Sequence, residues 1–245
     1  MAEGGEGLAG APRELWERLF RRYRGRPVVV YVSEASLEAA RMVLERIGGA
    51  AGRGALVVYP TDTVYGVGTS PFIGDAVRRV FQAKERPLGK PLPVLVSSVE
   101  AAERLVVVSE EARRLMERFW PGGLTLVLPL RRGSGVAEEV HAGTGRLGVR
   151  MPAHRVALRL IEAAGGALVG TSANLHGRPS PRTAAEALEQ LGDRVDYIVD
   201  SGPAPGGVPS TVVDLSSGEP VLLREGAVPA EEVERVLGRR LRRPG

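Results

Sequence analysis

The sequence predicts an α/β fold, a three-layer arrangement in which helices cover both faces of one mixed, twisted sheet. Along the chain, segments with the apolar pattern of strands alternate with segments that have apolar residues at helical spacing. Two strand patterns separated by Ser-Gly-Glu-Pro (217–220) indicate a hairpin near the end, which makes the sheet mixed. No internal repeat or long linker interrupts the pattern, so residues 27–245 are expected to form a single domain.

Helices and strands are assigned from their apolar spacing and from the residues at their ends. The first helix is expected at 12–23, within an N-terminal leader of residues 1–26. The helix at 37–47 is expected to end at Gly48 and Gly49, and Ser109 is expected to cap a helix over 109–120. The other predicted helices are 74–86, 155–165, 183–192 and 229–241. The predicted strands are 28–32, 55–62, 92–98, 124–130, 167–174, 195–200, 211–216 and 221–225.

The composition excludes several classes of protein. Because the chain contains no cysteine, it has no disulfide, thiol nucleophile or thiolate metal site, and its three histidines are scattered. No apolar stretch approaches the roughly 18 residues of a membrane span, and no signal-peptide pattern is visible. We therefore expect a cytoplasmic protein with no membrane contact. Its net charge of +4 favours anionic partners.

The two lysines of the chain lie in one short segment. Of the 33 basic residues only Lys84 and Lys90 are lysines, and both belong to KERPLGK at 84–90. Lysine is a compact charge on a flexible stem and does not substitute for the planar fork of arginine. A lysine in an otherwise arginine-rich chain therefore suggests a specific chemical task, with chance clustering as the alternative.

Polar side chains collect at the ends of predicted strands, where α/β folds form their binding sites. The segments that carry them are 60–66, 84–91, 148–152, 170–181 and 208–215, with Arg224 shortly after. They contain no P-loop, no Rossmann glycine fingerprint and no GxSxG nucleophile elbow. Several cations and many hydroxyls without an evident acid–base pair suit a polyanion such as a nucleotide. An enzyme and a non-catalytic anion-binding module both fit these residues.

Six motifs follow one another across residues 28–228. They are PTDTVYGVG (60–68), KERPLGKPLPVLV (84–96), WPGGLTLVLP (120–129), GVRMPAH (148–154), TSANLHGRPSP (171–181) and STVVDL with LLREGA (210–227). In order and spacing they resemble the motifs of the YrdC-like threonylcarbamoyl-AMP synthases in their single-domain form. Six linked motifs are more specific than any one of them.

The resemblance implies an enzyme, a nucleotidyltransferase that makes L-threonylcarbamoyl-AMP from L-threonine, bicarbonate and ATP and releases pyrophosphate. It implies Mg²⁺ bound through ATP, with no metal ligands from protein side chains. It also implies a downstream complex that transfers the threonylcarbamoyl group to tRNA. The implied fold is the three-layer YrdC-like fold.

The resemblance also assigns roles to individual residues. Those implied to be catalytic are Lys84, Arg86, Ser172 and Asn174. Those implied to bind ATP are Lys84, Arg86, Lys90, Arg146, Ser172, Ser180, Ser210 and Arg224. Those implied to bind threonine are Thr63, Leu95 and Arg150, where Arg150 is suited to hold a carboxylate through two hydrogen bonds.

The chain departs from the family pattern at two places. Leu95 stands where many members have a histidine that contacts threonine, and Pro-Gly-Gly at 121–123 replaces the usual Pro-Gly-Pro. Two other functions stay open at this point: an RNA-binding or ribosome-maturation protein on the same fold, with weak RNA affinity, and a relative that hydrolyses the adenylate. The intact Lys-x-Arg (84–86) and Ser-x-Asn (172–174) pairs favour synthesis.

Overall fold

The computed structural model describes residues 27–243, in which strands and helices alternate. The helices are α1 (Arg41–Gly52), α2 (Gly74–Ala83), α3 (Val99–Leu105), α4 (Glu110–Phe119), α5 (Glu138–His141), α6 (Arg155–Ala163), α7 (Ala184–Leu191) and α8 (Ala230–Leu237). The strands are β1 (Val28–Tyr31), β2 (Val57–Tyr59), β3 (Gly66–Gly68), β4 (Val94–Val96), β5 (Leu124–Pro129), β6 (Arg146–Arg150), β7 (Ala167–Val169), β8 (Thr171–Ser172), β9 (Tyr197–Asp200), β10 (Thr211–Asp214) and β11 (Val221–Arg224). The helix predicted at 12–23 lies outside the described residues.

The strands form two mixed sheets. The first has the order β1-β9-β2-β3-β8, with β9 parallel to both β1 and β2. The second has the order β11-β10-β5-β6-β4-β7 and combines parallel with antiparallel pairs. The α/β class is confirmed, and so is the hairpin, since β10 and β11 are antiparallel. The single central sheet that the sequence predicted is divided into two.

The division between the sheets occurs at Gly170, inside the segment 167–174 that was predicted as one strand. Before this glycine, β7 pairs with β4 of the second sheet; after it, β8 pairs with β3 of the first. A Cβ atom at Gly170 would lie 2.4 Å from Cγ of Leu95, so only glycine lets the chain cross there. Since this is a tertiary contact, the local apolar pattern did not reveal it.

Helix α1 continues past the glycines that were predicted to end it. Gly48 and Gly49 lie inside the helix, which extends to Gly52. A Cβ atom at Gly48 would lie 2.6 Å from the Cβ of Ala163 on α6. The glycine therefore permits close packing of two helices and does not act as a helix terminator.

The core confirms the layered arrangement. On β2, Val58 packs into one apolar cluster, whereas Val57 and Tyr59 pack into a second cluster together with residues of α1 and α6. Both faces of this strand are thus covered, as a three-layer fold requires.

Local sequence patterns predicted some helices and strands correctly and missed others. Oγ of Ser109 accepts a hydrogen bond of 3.2 Å from the amide of Ala112, which confirms the predicted cap of α4. The short elements β3, β6, α3 and α5 were not predicted as separate elements, because three to seven residues carry little periodic signal. Within residues 27–243, no helix is long and apolar enough to cross a membrane.

Candidate active site

The second sheet turns one face toward a cavity of about 490 Å³. On β6 the side chains alternate, so that Arg146 and Arg150 line the cavity with Gly148 between them, whereas Leu147 and Val149 are buried in the core. Since a strand rises about 3.3 Å per residue, the Cα atoms of the two arginines are about 13 Å apart. Along β6 the cavity floor therefore has a cation at each end and no side chain at Gly148 between them.

Most of the residues that the sequence singled out surround this cavity. The lining includes Thr63, Arg86, Leu95, Arg146, Arg150, Ser172, Ser180, Ser210 and Arg224. They belong to distant parts of the chain, which the two sheets bring to one place. Lys84, Lys90 and Asn174 are not among the lining residues.

Lys84 lies behind the cavity wall and is only 2% exposed. It follows α2 directly, and its Nζ donates hydrogen bonds to the backbone carbonyls of Ser172 and Asn174, the second at 2.7 Å. Burial, with a smaller contribution from the nearby charge of Arg86, lowers the pKa of Lys84 to about 7. Lys84 therefore holds the turn at 172–174, and the amine has one position left for another partner.

Asn174 and Lys90, which also do not line the cavity, differ from each other in their environment. Asn174 is buried, and its Nδ2 donates to the carbonyls of Leu175 at 2.7 Å and Arg178 at 2.8 Å. Its Oδ1 is buried without a hydrogen-bond partner among the described residues. Lys90 is exposed in the loop after α2. The two lysines that the sequence grouped together thus have opposite surroundings.

Arg150 is held on three sides at the end of β6. Its Nε donates to the carbonyl of Gly122 at 2.8 Å, its Nη1 donates to Oγ1 of Thr63 at 3.0 Å, and its Nη2 pairs with the carboxylate of Asp62. Burial lowers the pKa of Arg150, and Asp62 opposes that effect. An arginine has five N–H donors, so two remain for a ligand.

Thr63 has its hydroxyl hydrogen committed within the protein. The hydroxyl of Thr61 donates to the carbonyl of Val64 at 2.7 Å, so in the 2.9 Å contact between the two threonine hydroxyls Thr63 is the donor. Because Thr63 also accepts from Arg150, one lone pair is left. Toward a ligand, Thr63 can therefore only accept a hydrogen bond, for example from an amine or a hydroxyl.

The opposite end of β6 has a second arginine–aspartate pair. Nη1 of Arg146 lies 3.0 Å from Oδ2 of Asp214, which is buried at the end of β10. The other carboxylate oxygen accepts from the backbone amide of Ser216 at 2.8 Å and from its hydroxyl at 2.6 Å. The charge of Arg146 is thereby neutralised within the protein.

Arg86 and Arg224 have no carboxylate partner among residues 27–243. Among the described residues, Arg86 makes one long hydrogen bond, 3.3 Å to the carbonyl of Pro91, and its buried Nε has no hydrogen-bond partner. In the same part of the chain Arg224 donates only to Ser210, to its carbonyl at 2.8 and 3.0 Å and to its hydroxyl at 3.2 Å. Burial lowers the pKa of both arginines. Half-buried cations without counter-charges favour an anionic ligand.

Some residues of the site were missed by the sequence prediction. The polar cluster at 60–66 was recognised, but only Thr63 received a role, although Asp62 contacts Arg150. Thr125 lines the cavity and its hydroxyl lies 2.9 Å from that of Ser210. A threonine inside the otherwise apolar strand β5 was the available signal for it. Asp214, a charged residue at the end of the mainly apolar strand β10, could have been recognised in the same way.

Comparison with known proteins identifies the family of this chain. The Sua5/YciO/YrdC family model, described as "Telomere recombination", matches residues 50–226. The threonylcarbamoyl-AMP synthase of Pyrococcus abyssi is 45% identical over 76% of this chain and 54% of its own length. That of Bacillus subtilis is 42% identical over 75% of this chain and 53% of its own length. The chain thus spans about half the length of these curated relatives.

Solved structures show the same fold. The crystal structure of Pyrococcus abyssi Sua5 complexed with L-threonine superposes with a TM-score of 0.83 at 40% identity, covering 89% of this chain and 62% of that one. The structure of Escherichia coli YciO superposes with a TM-score of 0.73 at 25% identity, covering 84% and 98%. Because the family model covers most of the chain and both relatives exceed 40% identity, the protein belongs to the Sua5/YciO/YrdC family.

Proposed function

We propose that this protein makes L-threonylcarbamoyl-AMP from L-threonine, bicarbonate and ATP, with release of pyrophosphate. The observation that carries the proposal is the shared cavity of Arg86, Arg224 and Arg150. The first two are cations without a carboxylate partner in residues 27–243, and the third keeps two N–H donors beside Thr63. One cavity can thus hold a polyphosphate next to an amino acid. The threonine complex of Pyrococcus abyssi Sua5 supports the amino-acid part.

The amino acid is placed at Arg150. Its carboxylate takes the two remaining N–H donors of Arg150, and the remaining lone pair of Thr63 accepts from its amine or hydroxyl. Leu95 pairs in register with Arg150 on the neighbouring strand and also lines the cavity. It therefore contacts the carbon skeleton of threonine, where many family members have a histidine.

The reaction has two steps. The neutral amine of threonine attacks the carbon of bicarbonate or of the carbon dioxide derived from it, and a C–N bond forms. Water leaves when bicarbonate is the source, and the amine releases a proton to solvent when carbon dioxide is the source. An oxygen of the resulting carbamate then attacks the α-phosphorus of ATP, and the bond to the β-phosphate breaks so that pyrophosphate departs with its electron pair. Negative charge grows on the leaving group, which positioned cations stabilise.

The phosphate groups are placed against Arg86, Arg224 and the hydroxyls of Ser172, Ser180 and Ser210. Lys84 supports the turn that carries Ser172, and the approach of a polyanion favours its charged form, which its pKa of about 7 makes accessible at neutral pH. Asn174 shapes the same turn. Arg146 is placed beside the nucleoside, and Lys90 in the exposed loop approaches the outer phosphates.

Mg²⁺ fits this site only as a companion of ATP. Within residues 27–243, no group of three His, Cys, Asp or Glu side chains is arranged to hold a metal ion, and Asp62 and Asp214 are both paired with arginines. A magnesium ion carried by the phosphates offsets part of their charge. The adenylate product is a reactive mixed anhydride, which a downstream tRNA threonylcarbamoyl transferase complex consumes.

The decisive experiment measures threonine-dependent release of pyrophosphate from ATP in the presence of bicarbonate. Arg86→Gln and Lys84→Met are expected to lower kcat/KM by about 100-fold, because the first removes a cation that lines the cavity and the second removes the charge that holds the turn carrying Ser172. Arg41→Gln is the matched control, since Arg41 is exposed on α1 and forms an ion pair with Glu45 away from the cavity lining. A wild-type protein that releases no more pyrophosphate with threonine than without it contradicts the proposal.

A further inference from the structure

The four arginines that line the cavity divide into two classes. Arg146 and Arg150 stand on the floor at the two ends of β6, and each is paired with an aspartate that lies beside the cavity or lines it. Arg86 and Arg224 have no carboxylate within ion-pair distance among the described residues. The cavity therefore presents two neutralised arginines and two free ones.

This division matters because Arg150 is buried and burial also lowers the pKa of Arg86 and Arg224, whereas Arg146 is more exposed to water. In buried surroundings the attraction between unit charges is several-fold stronger than in bulk water. A phosphate group gains this attraction fully at an unpaired arginine. At a paired arginine the aspartate offsets the charge, so it repels a multiply charged phosphate group more strongly than the single carboxylate of an amino acid, which can still accept the remaining N–H donors. The aspartates thus determine which arginines attract phosphate.

We propose that Asp62 and Asp214 are specificity-determining residues that keep phosphate groups away from Arg150 and Arg146 and so confine the triphosphate to Arg86 and Arg224. This inference rests on the proposed function, since it assigns the Arg150 end to the amino acid and the Arg146 end to the nucleoside. Without the two aspartates all four cavity arginines lack a carboxylate partner among the described residues, so each can attract phosphate. ATP or pyrophosphate then occupies the place of the amino acid.

The charge of Asp62 can be separated from its positioning role. Its Oδ1 accepts hydrogen bonds from Nη2 of Arg150 and from the backbone amide of Ala153, the latter at 3.1 Å. In Asp62→Asn the amide oxygen can accept both bonds, so Arg150 keeps its orientation and loses only the counter-charge. A purely positioning role for Asp62 predicts that this variant behaves as the wild type toward anions.

The first measurement is the affinity for L-threonine, by calorimetry, with and without saturating inorganic pyrophosphate. In the wild type, pyrophosphate leaves the threonine affinity unchanged. In Asp62→Asn, pyrophosphate reaches Arg150 and weakens threonine binding on the order of tenfold, as expected for competition at a charge-assisted contact. For each variant we compare the threonine affinity with pyrophosphate to the threonine affinity without it. A structural change alone alters both affinities equally and leaves their ratio unchanged.

A second variant makes the test independent of the folding of the first. In Asp214→Asn, pyrophosphate gains a second binding site beside Arg146, from which adenosine displaces it and threonine does not. Asp196→Asn is the matched control: Asp196 forms an Arg–Asp pair of 3.0 Å with Arg79, away from the cavity lining. Asp196→Asn is expected to bind the same number of pyrophosphate molecules per protein as the wild type.

The outcome is decided by the pyrophosphate titrations. If neither Asp62→Asn nor Asp214→Asn gains a pyrophosphate site, or if the control gains one equally, charge sorting by the aspartates is wrong. These titrations require no turnover, whereas the proposed function is tested by threonine-dependent pyrophosphate release. A negative result for charge sorting by the aspartates can therefore be told apart from a negative result for the proposed function.

Discussion

A single methyl group on the cavity floor is expected to lower the proposed synthase activity strongly without harming the fold. A Cβ atom at Gly148 would meet Cβ of Pro93 and Cγ2 of Thr125 at 3.5 Å, which is ordinary van der Waals contact. Gly148→Ala is thus accommodated by the strand. Since alanine restricts the unfolded chain more than glycine does, the free energy of unfolding should rise by up to ~1 kcal/mol.

The effect on activity follows from the position of Gly148 midway between Arg146 and Arg150. The new methyl projects about 1.5 Å from the backbone into the space between the amino-acid end and the nucleoside end. Displacement of a reacting centre by about 1 Å lowers catalysis by about 100-fold, or ~2.7 kcal/mol of transition-state stabilisation. We therefore expect kcat/KM for pyrophosphate release to fall by about this factor in Gly148→Ala.

The assay compares Gly148→Ala with Gly218→Ala. Gly218 lies in the turn between β10 and β11, and a Cβ atom there meets nothing within 4 Å. The control carries the same chemical change outside the cavity and should keep wild-type turnover. Urea denaturation monitors the fold of both variants. If Gly148→Ala turned over at the rate of Gly218→Ala, the floor of β6 would not be where the substrates meet.

Two further predictions concern stability. Asp200 is buried beside the hydroxyl of Tyr65, and burial raises the pKa of Asp200 from 3.8 to about 6. Between pH 4 and pH 6 the folded state keeps a proton that the unfolded chain loses, so stability falls as the pH rises, by at most ~3 kcal/mol. Denaturant unfolding at pH 4 and pH 7 should show this fall in the wild type relative to Asp200→Asn, and an equal pH dependence of the two contradicts it. Gly48→Ala should destabilise the protein by ~1–3 kcal/mol, because its Cβ would lie 2.6 Å from both Cβ of Ala163 and the carbonyl oxygen of Leu160. Gly49→Ala meets only the flexible Arg53 and should gain up to ~1 kcal/mol in the same measurement.

Local patterns were sufficient to define most of the architecture. The alternation of strand and helix segments predicted the α/β class, and the hairpin of β10 and β11 followed from its turn residues. The predicted element boundaries were wrong where a glycine is required by a contact with a distant part of the chain. Gly48 and Gly49 looked like a helix end and are sites of helix packing, and Gly170 looked like part of one strand and marks the crossing between sheets.

The functional groups of this protein can be read from its sequence alone: six motifs in a fixed order, arginines and hydroxyls at strand ends, and two lysines in one segment. The electrostatic state of these groups depends on how the folded chain brings them together. Asp62 neutralises Arg150 across 88 residues and Asp214 neutralises Arg146 across 68, while Arg86 and Arg224 keep their charge free of carboxylates in the described chain. Lys84 is buried and Lys90 exposed, although they are neighbours in sequence. The physical reason is that the strength of a charge depends on its distance from other charges and from water, and folding alone establishes those distances.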